Sequence, residues 1–332
     1  MVSFDEKELI RCGEYIYNQH KVIEDIADSV CKKGFKNIYF SSVGGSQAML
    51  DPFYNMINEL SEIPVFSLLS SMAIYTGHNQ LSKDSLIITS SKSGDTKDTV
   101  AGIDYFKKIG CTIVSIVGKE NSVIEKLSDY CFVYKDGRPQ ELVMYILIGK
   151  ILYNLGYFDA YPKFLEELRN LPKALVEVRK KVDQKAIEYC EKYCKEPYNI
   201  WVASGNLWPV CYAYAMCVLE ESLWIRTKSV TSQEFFHGTL ELVDKDVCVT
   251  LLITEGKTRN ADLKVKKFID KYSDKVTVFD CRDFELQGIS DEFRWLLSPV
   301  MMNAILQRIS KNMEVITNHS LDYRRYYRKV DY

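Results

Sequence analysis

DSLIITSSKSGDT (residues 84–96) changes character at its midpoint. Leu86-Ile87-Ile88 is a short apolar run of the kind that fills a buried strand, whereas Ser90, Ser91, Ser93 and Thr96 crowd hydroxyls around Gly94. The residues that follow, KDTVAGIDYFKKIG (97–110), set Val100, Ile103 and Phe106 at helical spacing and end on a glycine stop. The unit is therefore strand, hydroxyl-rich loop, helix. Ser, Gly and Asp also form plain turns for local reasons, so the loop has two readings: a turn, or a pocket for an anion such as phosphate.

The same unit recurs. NIYFSS (37–42) resembles NIWVAS (199–204), and the same offset of 162 positions lays DSLIITSSKSGDT over DVCVTLLITEGKT (246–258). Asp84 then meets Asp246, Gly94 meets Gly256, Thr96 meets Thr258 and Phe106 meets Phe268. The chain reads as a duplicated α/β unit. In the first copy the apolar runs Ile38–Phe40, Leu86–Ile88, Thr112–Val117 and Cys131–Tyr134 alternate with helix-period stretches, which implies parallel pairing and right-handed crossovers. The expected plan is two tandem doubly wound, flavodoxin-like α/β domains, each a parallel sheet flanked by helices. Their expected bounds are 34–160 and 196–318, with a helical arm at 1–33, a helical connector at 161–195 and a tail at 319–332.

Composition narrows the function. The 332 residues are 47% hydrophobic and 27% charged, with a net charge of −2, so no global field draws the chain to nucleic acid or to a membrane. No apolar run approaches the roughly 20 residues of a membrane span, and the N-terminus MVSFDEKELIRCGEYI is charged rather than signal-like. The ten cysteines form no CxxC pair and the four histidines lie near no cysteine pair, which implies reduced thiols, a cytoplasmic location and no metal centre.

In an open parallel sheet, ligands bind beyond the carboxyl ends of the strands. Two loops of the first copy belong there: SSVGGSQ (41–47) and SSKSGDT (90–96). Each precedes a helix whose first N–H groups are unpaired and whose dipole favours an anion. Gly44, Gly45 and Gly94 allow close backbone approach, and Ser46, Ser91, Ser93 and Thr96 offer hydroxyls. Neither the G-x-G-x-x-G spacing of a dinucleotide site nor the GK[ST] of a P-loop is present. On the 162-residue offset, Ser91 and Ser93 meet Ile253 and Glu255, and Gly44-Gly45 meet Asn206-Leu207. This pattern divides labour between the copies. In the second copy, Glu220 and Glu221 close an apolar helix, and SQEFFHG (232–238) brings Ser232, Glu234 and His237 on a short helical turn. Histidine is the natural proton carrier near neutral pH. Arg226 and Lys228 in WIRTKSV (224–230) read either as a solvated strand face or as contacts for an acidic substrate portion.

Together GGSQ, SKSGDT, EES…SQEFFHGTLELVDKD and the tail RRYYRKVDY resemble the sugar isomerase (SIS) domain proteins. They are most similar to the fructosamine deglycases of the fructoselysine-6-phosphate type, and more distantly to the isomerase half of glucosamine-6-phosphate synthase. The resemblance implies a sugar-phosphate site at Ser91, Ser93 and Thr96 with Gly45 and Ser46. The family's glutamate precedes its histidine by 16 residues, which selects Glu221 and His237 and leaves Glu220 outside. It further implies that the histidine reaches a neighbouring subunit's site, hence at least a homodimer, and that Lys329 corresponds to the lysine that closes over the sugar in the synthase. Lys92 stands where the synthase has glutamine, and Thr239 where proline is common.

The implied reaction is cleavage of a 6-phosphorylated ketosamine to glucose 6-phosphate and a free amine, without metal or organic cofactor. A ketose–aldose phosphosugar isomerase and an aminosugar-phosphate deaminase use the same C1/C2 proton shift. A non-catalytic sugar-phosphate regulator is the alternative from another class. The 1–33 arm has neither a helix-turn-helix pattern nor a basic face, which argues against a DNA-bound form of it.

Overall fold

The computed structural model describes residues 1–135 and 137–331 and divides into two compact units. The first is Lys7–Pro172; the second combines Met1–Glu6 with the residues from Lys173 onward.

The first unit carries α1 (Glu6–Tyr17), α2 (His20–Lys33), β1 (Asn37–Phe40), α3 (Gly44–Leu60), β2 (Val65–Ser67), α4 (Ser70–Thr76), β3 (Ser85–Ser91), α5 (Lys97–Ile109), β4 (Thr112–Val117), α6 (Val123–Leu127), β5 (Tyr130–Val133), α7 (Glu141–Asn154) and α8 (Tyr161–Leu168). All its strands are parallel, in the order β2-β1-β3-β4-β5. Every residue of β1, β3 and β4 is buried, which is why these strands read as continuous apolar runs rather than alternating ones. Helix α5 stops where the sequence places it: Gly110 adopts φ 94°, and its N–H bonds back to Phe106 and Lys107. The leading helices are integral to this unit. Ile16, Ile23, Ala27 and Val30 are buried, and α2 packs along α7, itself apolar on nearly all sides.

The second unit carries α9 (Leu171–Tyr193), β6 (Asn199–Ala203), α10 (Trp208–Ala213), β7 (Thr227–Thr231), β8 (Cys248–Ile253), α11 (Arg259–Tyr272), β9 (Val276–Asp280) and α12 (Asp291–Ile316). Its parallel sheet runs β7-β6-β8-β9, the same winding as the first four strands of the other unit. The boundary between units falls near the start of α9.

Strand register corrects one detail of the repeat. Phe40 pairs with Ile88, whereas Val202, its equivalent, pairs with Leu251. A gapless 162 offset would place Thr250 there, so β8 is displaced by one residue and Ser91 corresponds to Thr254, not Ile253. The phase returns at the helices, which begin at Lys97 and Arg259. The first loop shows a similar slip. Gly44 at φ 55° and Gly205 at φ 53° both follow an extended residue and open the next helical turn, so Gly205 is the counterpart of Gly44. The second copy has shortened its loops rather than lost every glycine and hydroxyl. Among the described residues, no helix is long and apolar enough to cross a membrane.

Candidate functional site

The first unit's chain leaves β1 towards β2 on one side and returns through β3 on the other, so its topological switch point lies between β1 and β3. The loops that follow these two strands flank it, at the edge where doubly wound sheets bind ligands. Helices α3 and α5 start from them, and neither has a side-chain cap on its N-terminus. The first-turn N–H groups of Gly44, Gly45 and Ser46, and of Lys97, Asp98 and Thr99, therefore have no intrahelical acceptor. No atom lies within 4 Å of where a Gly44 Cβ would stand, so this loop borders open space. Gly45 is exposed and Ser46 half-buried.

The hydroxyls of the second loop do different jobs. Ser91 is buried, and its Oγ accepts the Gly94 N–H at 3.0 Å and lies 2.9 Å from Thr96 Oγ1, which pins the loop. Ser93 donates to the Asp95 carboxylate, and the Lys92 side chain is exposed. The Gly94 carbonyl accepts the Ile124 N–H at 3.0 Å. Behind the first loop, Gln47 accepts the Ser42 N–H at 2.6 Å and donates to Asp51 and Ser67, and burial pushes the Asp51 carboxyl up. The result is an open, donor-lined cradle on a braced frame.

The equivalent place in the second unit is closed. Ser204 Oγ donates to Thr258 Oγ1 at 2.7 Å, and a Cβ on Gly205 would stand 2.4 Å from that same oxygen. Thr254 Oγ1 donates to Asn206 Oδ1, and Asn206 Nδ2 donates to the Trp295 carbonyl on α12. Glu255 is held by both arms of Arg294, at 2.6 and 3.1 Å. A loop that has closed on itself and gained a carboxylate does not invite an anion.

What the second unit offers instead is a cavity of about 620 Å³ bordered by Glu220, Glu221, Trp224, Arg226, Arg324 and Arg325, with Tyr326 and Tyr327 of the tail. Glu221 follows Tyr214–Glu220, which is wound wider than an α-helix: the Glu221 N–H reaches back five residues to the Met216 carbonyl. Such π-turns concentrate at functional sites. Arg324 Nε donates to Glu221 Oε1 at 2.9 Å, while its Nη1 holds the carbonyls of Leu321 and Tyr323. Glu220 is exposed, borders the same cavity and accepts from the Thr227 hydroxyl. Trp224 adopts a left-handed φ of 60°, a costly choice for a bulky residue, with the His319 ring perpendicular to its own at a centroid separation of 4.5 Å and Arg325 over its face at 4.0 Å. Lys329 donates to the Arg324 carbonyl and closes the tail's own turn.

The structure does not bring Glu221 and His237 together within one chain. Glu221 precedes β7 and its cavity borders Thr227, the first residue of that strand, whereas His237 lies beyond Thr231, the last. The strand between them is about 13 Å long at ~3.3 Å per residue. His237 is exposed at the end of a tight turn anchored by buried Phe235. That loop is tied down by Asp262, which is fully buried and accepts from Ser232 Oγ at 2.6 Å and from the Thr254 N–H at 3.1 Å. Burial pushes the Asp262 carboxyl up.

In the sequence Arg226 has two readings and Arg324 and Arg325 stand only within the tail motif RRYYRKVDY, while Trp224 and Asp262 carry no signal of a role. The tail's density of arginine and tyrosine was a signal, but its pairing with Glu221 was not readable from spacing. All ten cysteines are free thiols, and no group of three metal-ligating side chains is found among the described residues.

Residues 34–148 match the SIS domain model, and relatives named as deglycases and phosphosugar isomerases support an enzyme of that family. It is 27% identical over 308 residues to fructosamine deglycase FrlB of Bacillus subtilis (90% of this chain, 94% of that one). It is 22% identical over 309 residues to the fructoselysine 6-phosphate deglycase of Escherichia coli (92% and 89%). A Bacillus subtilis structure described as a candidate phosphosugar isomerase superposes with a TM-score of 0.90 at 25% identity, covering 94% of this chain and 97% of that one.

Proposed function

We propose that this protein is a deglycase of 6-phosphorylated ketosamines, the Amadori products of amines with glucose 6-phosphate. The observation that carries the reading is the asymmetry of the duplicated loops. The first copy keeps an open cradle of uncapped helix N-termini and hydroxyls, while the second has closed its own and presents Glu221 in a cavity of its own unit. The names of the two deglycase relatives support the same direction.

In this account the N–H groups of Gly45 and Ser46, with the hydroxyls of Ser46, Ser93 and Thr96, hold the phosphate, and Ser91 braces the loop. Lys92 and Lys329 contribute charge beside the bound sugar. His237, supplied by a second copy of the chain, moves the anomeric proton to open the ring. Glu221 takes one proton from C1 of the open ketosamine, giving an enaminol, and a proton is returned at C2. Water then adds to the resulting C1 imine, and the C–N bond breaks to give glucose 6-phosphate and the amine. Electrons stay within the substrate throughout, so the chemistry needs no redox partner or metal.

The test is Glu221→Gln with fructoselysine 6-phosphate. Removing a general base costs about 10²–10⁴-fold in rate, so glucose 6-phosphate formation is expected to collapse while fructose 6-phosphate still binds. Near wild-type turnover in the variant overturns the assignment.

A further inference from the structure

The imidazole of His237 is exposed and takes part in no hydrogen bond, ion pair or ring contact among the described residues, so the turn that carries it decides where it stands. That turn is fixed to α11 at two places. Buried Phe235 and half-buried Phe236 both meet Phe268 nearly at right angles, with ring centroids 5.7 and 5.8 Å away, and the Lys264 ammonium lies over the Phe236 ring at 4.5 Å. At the start of the turn, Ser232 Oγ donates to Asp262 Oδ1 at 2.6 Å. The other oxygen of the same carboxylate accepts the Thr254 N–H at 3.1 Å, just past the end of β8. Apolar contact is non-directional, so the rings alone leave the turn a pivot; the Ser232 bond supplies the direction.

The duplication shows what Asp262 replaces. Helices α5 and α11 begin at Lys97 and Arg259, so the first-copy counterpart of Asp262 is Val100, which packs against that unit's apolar core. Valine therefore suffices for a helix to pack at this position. Asp262 is instead a carboxylate at 0% exposure, and burying one is expensive unless it is well hydrogen-bonded. What the carboxylate adds is the tie from α11 to the turn and to the strand end. We propose that Asp262 is a positioning residue for His237: by holding Ser232 it sets where the turn leaves β7, and so where the imidazole stands against a sugar bound with a second copy of the chain. This rests on the reading above, in which His237 moves the anomeric proton, and adds to it a residue that touches no substrate.

The test uses three single variants. Asp262→Val installs the first copy's residue and removes both ties. Ser232→Ala removes only the tie to the turn and leaves the Thr254 N–H its acceptor. Asp262→Asn can keep both, because its amide oxygen accepts the Thr254 N–H while its NH₂ donates to Ser232 Oγ, which turns from donor to acceptor. Each is assayed for glucose 6-phosphate release from fructoselysine 6-phosphate. Misplacing a reacting group by about 1 Å costs up to about 100-fold, so kcat is expected to fall about 10–100-fold in Asp262→Val and Ser232→Ala and to stay near wild type in Asp262→Asn. KM should hold in all three, since Asp262 touches no substrate and the phosphate cradle belongs to the other unit. The second readout is NMR of the protein labelled with ¹³C at histidine Cε1, which gives one signal for each of His20, His78, His237 and His319. Only the His237 signal is expected to move in Asp262→Val and Ser232→Ala, and to return in Asp262→Asn.

Wild-type kcat in Ser232→Ala overturns the proposal, and so does a His237 signal that stays in place. A loss in Asp262→Asn as large as in Asp262→Val means that the charge, not the tie, is what counts, and overturns it too. Movement of all four histidine signals together marks a general loss of structure and counts against it in the same way. If Asp262→Val fails to fold, Ser232→Ala decides alone, by kcat and by the His237 signal. If the wild-type protein releases no glucose 6-phosphate, the deglycase reading falls; movement of the His237 signal alone in Ser232→Ala then still upholds the anchoring of His237 by Asp262, and a fixed signal overturns it.

Discussion

Gly94 and Gly44 sit in the two loops of the cradle at nearly the same backbone angle, φ 70° and φ 55°, yet alanine is expected to act very differently at the two positions. A methyl group at either must accept a left-handed conformation, worth about 1–2 kcal/mol for an L-residue. At Gly44 that is the whole structural cost, because nothing stands within 4 Å of the new atom. At Gly94 the new Cβ would lie 2.3 Å from Ser122 Cβ and 2.4 Å from Ser122 Oγ. Ser122 cannot simply swing aside. Its Oγ accepts the Glu125 N–H that caps α6, and Ile124, two residues on, is hydrogen-bonded to the Gly94 carbonyl. Overpacking of this kind adds about 1–3 kcal/mol, so Gly94→Ala should cost about 3 kcal/mol against about 1 kcal/mol for Gly44→Ala. For a unit of this size each kcal/mol moves the midpoint by roughly 2–4 °C, which separates the variants by about 4–8 °C. The assay is thermal unfolding of both single variants, of Ser122→Gly, and of Gly94→Ala with Ser122→Gly. The double variant removes both clashing atoms and should recover about 1–3 kcal/mol as coupling energy. Equal midpoints for Gly44→Ala and Gly94→Ala, or no recovery in the double variant, would refute the packing argument and the loop geometry behind it.

Other outcomes follow from the same geometry. Because Glu221 and His237 lie at opposite ends of β7, a site that uses both draws them from two chains; mixing inactive Glu221→Gln and His237→Asn proteins under exchange conditions should restore about a quarter of wild-type activity in a shared-site dimer, and no restoration refutes the sharing. Asp280 bonds Arg259 through both oxygens, at 2.6 and 2.7 Å. Burial pushes its carboxyl up, but the hydrogen bonds from Arg259 and the Arg282 N–H outweigh this and hold it below its ordinary range. The stability it confers is therefore complete above about pH 4 and lost as pH falls further. Asp280→Asn should cost about 1–3 kcal/mol at pH 7, with the denaturation curves of variant and wild type converging in acid.

Much of the fold was legible because the central strands are buried on both faces. Ile38–Phe40, Leu86–Ile88 and Thr112–Val117 announce themselves as β-branched runs, and the last matches its strand end to end. The three-residue edge strand Val65–Ser67 is only partly buried and leaves no such signal. The duplication was visible, but its register was not. The one-residue deletion in each loop is offset by two extra residues between them, so a gapless comparison sets Ile253 opposite Ser91, and only strand pairing reveals Thr254 there. The site was half legible for a related reason. Glycines and hydroxyls around a strand end are local, and a sequence shows them directly. The tie between Glu221 and Arg324 spans more than a hundred positions and depends on a tail that folds back over a π-wound turn. The 16-residue spacing of Glu221 and His237 pointed to a pair, yet a whole strand stands between them.

The most direct measurement of the central claim uses a ketosamine 6-phosphate carrying two deuterons at C1. If Glu221 removes one of them, the product is glucose 6-phosphate with a single deuteron at C1, released together with the free amine and visible by NMR and mass spectrometry. Fructose 6-phosphate that retains both deuterons would mean that the amine leaves without any proton being taken from C1, and would contradict the account.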